Sequence, residues 1–102
     1  MIDDERDKAE EAKVAAFREQ RRRGDFLAIM ATPGGRRFVW SQMSESSLFA
    51  SIYNPDHSVM SLIEGKRQMG LRLLADCNAL CPELYLKMMN EANETDQPKD
   101  YA

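Results

Sequence analysis

Three observations predict an all-α chain: a small bundle of three to four helices, a long N-terminal helical arm and a disordered C-terminal tail. Strong helix formers dominate from Asp3 to Arg23, with charge pairs such as Asp4 and Lys8 at i, i+4. Apolar residues recur at spacings of three and four between Val59 and Cys81. Thr32-Pro33 and Cys81-Pro82 each open a fresh helical pattern, because proline suits the first helical position, where its missing N–H costs nothing.

The first helix is expected from about Asp4 to Arg23. Acidic residues crowd its first turns and arginines its last, the order that the helix dipole favours. Its apolar stripe of Ala9, Ala12, Val14, Ala15, Ala16 and Phe17 is too thin to hold a core, so residues 1–23 read as an arm that lies along a partner or projects into solvent. Gly24 supplies a stop or hinge, and Asp25 to Ala31 a short helix. Thr32 then caps a helix over Pro33–Glu45, with Phe38, Val39 and Met43 facing inward and Trp40 at the boundary. Leu48 to Tyr53 is expected as a helical turn or irregular chain, since no second strand is available to pair with it, and Asn54-Pro55-Asp56 ends it with turn chemistry.

Asp56 is the expected N-cap of the core helix, whose inner stripe is Val59, Leu62, Ile63, Gly70, Leu73, Leu74, Cys77 and Cys81. Gly65 and Gly70 cost helix stability, which points to another backbone passing close by or to a loosened or kinked stretch. Pro82 to about Asn93 forms the last helix, with Leu84, Tyr85, Met88, Met89 and Ala92 inward. The bundle is thus assigned to residues 24–93 and a flexible tail to 94–102.

The chain has 102 residues, enough for one small domain; 43% are hydrophobic and 30% charged, a balance that goes with exposed helices. No apolar run approaches the roughly 20 residues of a membrane span. The acidic start lacks the pattern of a secretory or transit peptide, so the protein is expected to stay where it is made. Cys77 and Cys81, on adjacent turns of one face, read as small buried hydrophobes. His57 is too distant to complete a metal site, and neither metal nor cofactor is expected.

The net charge of −3 is unevenly spread. Arg18, Arg21, Arg22, Arg23, Arg36 and Arg37 make the region from 18 to 37 basic between acidic ends. Two readings of Arg36 and Arg37 remain open: the solvated face of a capped helix, or an anion or acidic-partner site at a helix N-terminus. With the cluster Arg21, Arg22 and Arg23 they are the candidates for contact with a partner or with DNA phosphates, while Phe26, Phe38, Trp40, Leu73, Leu74 and Tyr85 are candidate core or interface residues. Nothing is placed to read bases. Gly34 and Gly35 lack the preceding strand and Gly-Lys-Ser/Thr ending of a phosphate loop. His57 has no nucleophile nearby, and Glu64 and Asp76 are not on adjacent turns, so no acid/base pair is evident and the protein is not expected to be an enzyme. Seven methionines add adaptable apolar surface suited to packing against a partner.

At Gly24-Asp25-Phe26-Leu27, at Thr32-Pro33-Gly34-Gly35-Arg36-Arg37-Phe38-Val39-Trp40, and from Glu64-Gly65-Lys66-Arg67 through Cys81-Pro82-Glu83-Leu84-Tyr85, the chain resembles a family of small proteins of short-tailed phages (podoviruses), encoded near packaging and portal genes. The resemblance covers about residues 18 to 92. It implies a role in the virion or its assembly. From the resemblance and the residues together, the expectation is a noncatalytic, multi-copy, ring-forming protein on portal or tail proteins at the vertex, made in the host cytoplasm; a small, marginally stable helical protein could also leave with the DNA during ejection. A DNA-packaging accessory, in the manner of a small terminase, and a host-directed inhibitor are the alternatives. The family brings no catalytic residues.

Overall fold

In the computed structural model, which describes residues 2–49 and 54–95, four helices follow one another in the order α1 (Ile2–Met30), α2 (Pro33–Glu45), α3 (His57–Leu80) and α4 (Pro82–Thr95). No strand occurs among the described residues. The segment 50–53, where a turn was expected, and the tail beyond Thr95 lie outside them.

Local chemistry sets most helix boundaries. Thr32 is extended and its hydroxyl accepts the Gly35 amide proton at 3.0 Å, while Pro33 opens α2. Asp56 caps α3 by accepting from the amides of Ser58 at 2.8 Å and Val59 at 3.3 Å. Cys81 alone separates α3 from α4, its amide bonded back to the Cys77 carbonyl at 3.0 Å, and Pro82 restarts the helix.

The stop expected at Gly24 does not occur: α1 continues through it to Met30. Glycine costs a helix interior only about 1 kcal/mol relative to alanine, and the good helix formers Arg21 to Arg23 before it and Leu27-Ala28 after it offset that cost. Among the described residues nothing crowds the place, since a methyl group on Gly24 would meet no atom of theirs within 4 Å. The same holds for Gly65, where no close neighbour is found. Gly24→Ala and Gly65→Ala are each expected to raise stability by about 1 kcal/mol in urea unfolding. A loss of stability in either would show an approach to the helix that these open surfaces do not contain.

Gly70 does have a close neighbour, but side chains approach it rather than the expected backbone. A methyl group there would overlap the Ser46 hydroxyl and press on Leu48 Cβ at 3.3 Å, so α3 and the end of α2 touch through it. Ser46 is buried, and Ser47 turns the chain with a left-handed φ of 62°.

The core is small and soft. Phe26, Met30, Val39, Met43, Cys77, Cys81 and Met88 are buried, with Trp40, Leu48, Leu73, Leu74, Leu80, Leu84 and Tyr85 packed around them. Three methionines and two cysteines in this set give a polarizable, adaptable interior with few branched side chains. Two stripe assignments differ from expectation. Phe38 is 62% exposed, because the buried face of α2 runs through Arg36, Val39 and Met43. Val59 and Leu62 are likewise exposed, whereas Met60 and Ile63 are half-buried, and the first fully buried position of α3 is Gly70.

Packing involves only the last third of α1. Every residue from Ile2 to Arg21 is exposed, and buried positions begin at Phe26. The molecule spans 65 × 40 × 20 Å with a radius of gyration of 18.5 Å, against roughly 13 Å for a compact domain of this length.

Candidate functional site

The arginines proposed to meet a partner divide into two groups. Arg22 lies where α1 enters the bundle and grips Asp76 of α3 with both guanidinium ends: Nη2 donates to Oδ1 at 2.8 Å, and Nη1 to Oδ2 at 3.1 Å. Arg36 is turned inward. Its Nε donates to Glu91 Oε1 at 2.6 Å, its Nη2 to Oε2 at 3.2 Å, and its Nη1 to the Met30 carbonyl at 2.8 Å. Neither arginine is a solvated residue of a helix face.

Arg36 has a clear physical task. The C-terminal end of α1 carries the negative end of its dipole; the Leu27 and Ile29 carbonyls accept from the amides of Ala31 and Thr32, the Met30 carbonyl needs a donor from elsewhere, and the last turn holds no basic side chain. Arg36 supplies the missing cation from the next helix and ties α1, α2 and α4 together. Its hydrogen bond to Glu91 raises the guanidinium above its usual pKa and holds the Glu91 carboxyl below the usual carboxylate value. Burial works the other way on both groups, and Lys87 and Arg37 add a further, smaller pull on Glu91.

Arg21, Arg23 and Arg37 remain exposed. Arg21 stacks over the Phe17 ring at 5.6 Å, and Arg23 Nε lies 3.3 Å from Glu19. Among the core or interface candidates, Phe26 is buried; Trp40, Leu73, Leu74 and Tyr85 are half-buried; and Phe38 is exposed. Trp40 also meets the Phe49 ring, with centroids 5.6 Å apart.

Asp76 and Glu91 escaped the sequence reading as partners of these arginines, because each pair is more than fifty residues apart. A signal for the second pair was present. Arg36 is three before Val39 and seven before Met43 on the buried stripe of α2, and Glu91 follows Leu84 and Met88 at the same kind of spacing on α4. Two opposite charges on two inward stripes are expected to meet.

An open, mostly apolar groove of about 560 Å³ lies between α1, α2 and α3. Phe26, Ile29, Met69 and Leu73 contribute its apolar lining, with Arg22, Asp25, Arg72 and Asp76 as its charged groups. Cys77 and Cys81 are buried and not bonded to each other. Burial above all, with Cys81 and Asp76 adding to it, pushes the Cys77 thiol up to about 11, so it stays protonated and apolar near neutral pH. Burial raises Cys81 as well, helped by Asp76 and Glu83. No group of three or more His, Cys, Asp or Glu fit to hold a metal ion occurs among the described residues, nor a helix long and apolar enough to cross a membrane.

The described residues form four helices around a small apolar core, with ion pairs joining α1 to α3 and α2 to α4, and the first helix extends well beyond the bundle. Residues 26–90, well over half of the chain, match the family described as Bbp19-like phage protein, and the protein belongs to that phage family. The match takes in α2, α3 and most of α4 and stops short of the exposed part of α1. No curated protein and no solved structure matches the chain.

Proposed function

We propose that the protein is a noncatalytic component of the phage virion, docked in several copies at the portal or short-tail vertex of a short-tailed phage. The observation that carries this reading is the exposure of every residue from Ile2 to Arg21 in a chain of a phage family. Such a helix, with Val14 and Phe17 exposed, gains little by projecting into water and gains contacts along a neighbour. The soft core and the exposed Phe38, Phe49 and Met69 fit a subunit that derives part of its stability from assembly. A noncatalytic role agrees with the groove, where Arg22 and Asp76 are engaged with each other.

The packaging reading, with arginines on DNA phosphates, is less well supported. Arg22 and Arg36 are committed to carboxylates within the chain, leaving Arg21, Arg23 and Arg37 of the five candidates. Mass spectrometry of purified particles is the test. The protein is expected among the vertex proteins of mature virions, and its absence from them would end the virion reading. Release on ejection predicts its depletion from particles that have emptied their DNA.

A further inference from the structure

We propose that the exposed part of α1 pairs antiparallel with the same segment of a second copy. One face carries the argument. Asp7, Glu11, Val14, Phe17, Arg18 and Arg21 recur at spacings of three and four and therefore share a stripe. Two contacts place these side chains together: a shallow depression is lined by Glu11, Val14 and Arg18 among others, and Arg21 stacks over Phe17.

The stripe is acidic at its start, apolar at its centre and basic at its end. Laid against an identical stripe in the opposite direction, with the two-fold axis at Val14, it sets Asp7 beside the second copy's Arg21 and Glu11 near its Arg18. Val14 and Phe17 meet across the axis. A parallel arrangement would set like charges against like. A two-fold contact must be self-complementary, and this charge order is so in the antiparallel sense alone. Asp7 and Arg18 form no ion pair among the described residues, so both are available.

The apolar centre is only two side chains deep on each copy. The pair therefore belongs to the weak, salt-sensitive class of contacts, in which charge sets orientation and much of the affinity. A ring assembled from such pairs holds an even number of copies. The pairing does not depend on where the protein sits in a particle, so absence from virions would leave it standing.

The test is sedimentation equilibrium of the full chain at low and high salt, together with two variants, Asp7→Lys/Glu11→Lys and Arg18→Glu/Arg21→Glu. All four positions are exposed and remote from the core, so the bundle stays folded, which circular dichroism checks. The wild type is expected to dimerise at low salt, with dissociation at least about tenfold easier near 0.5 M salt. Each variant alone is expected to be monomeric, and an equimolar mixture of the two to form the heterodimer. A wild type that is monomeric at low salt overturns the proposal, as does a dimer indifferent to both salt and charge reversal.

Discussion

Gly35→Ala is expected to destabilise the protein by about 3 kcal/mol, near the upper end of what overpacking usually costs. The new methyl group would overlap the Ile29 carbonyl and come within 2.9 Å of Thr32 Oγ1. Neither neighbour can yield cheaply. The Ile29 oxygen is backbone in the last turn of α1, held where α1 and α2 are joined by Ala31 and Thr32 alone. Thr32 Oγ1 is fixed by its cap bond to the Gly35 amide, so displacing it would also cost the cap, worth about 1 kcal/mol. Gly34→Ala is the control, because its methyl group would meet only the end of the Arg37 side chain at an ordinary 3.6 Å. Urea unfolding of the two variants decides the matter. Equal midpoints would mean that the α1–α2 corner is not as tight as described.

That corner shows where sequence is informative. Thr32-Pro33, Asp56 and Cys81-Pro82 act over three or four residues, and the helix starts that they specify were legible because a cap needs nothing from the rest of the fold. Gly24 was misread for the opposite reason. Its penalty is local and small, whereas continuing the helix lets Phe26 and Met30 reach the core. Facing was harder to read than helicity. Phe38 looked like a core residue by composition, but α2 has one inward stripe, and the chain spends the first position of that stripe on Arg36. The partner of Arg22 lies 54 residues away and becomes visible only once the tertiary arrangement is known, whereas Arg36 and Glu91, 55 residues apart, each leave a trace in the inward stripe of their own helix. The arm is a different case: its thin apolar stripe already implied that little of it could be buried, and exposure continues to Arg21.

Replacing Arg36 tests the joint that holds three helices. Arg36→Met keeps much of the apolar stem but leaves the Met30 carbonyl without this donor and removes the main cation from Glu91, where Lys87 and Arg37 contribute less. A marked loss of stability at neutral pH is expected, larger than that of any exposed arginine variant. The pH dependence separates this joint from simple packing. Glu91 titrates below its ordinary value of 4.5 in the folded chain because Arg36 donates to it, so its contribution is complete above that pH. As pH falls through the depressed folded value, the carboxylate is protonated and the contribution is lost. Arg36 itself stays charged throughout. Urea midpoints of the wild type should therefore fall below about pH 4.5 more steeply than those of Arg36→Met or Glu91→Gln, which have already lost the pair. Arg36→Lys should recover little, since a single ammonium cannot serve both carboxylate oxygens and the Met30 carbonyl in the geometry of the guanidinium fork. Acid limbs that run parallel in all four proteins would show that the pair adds nothing to folding, and Arg36 would then be a spacer in the core.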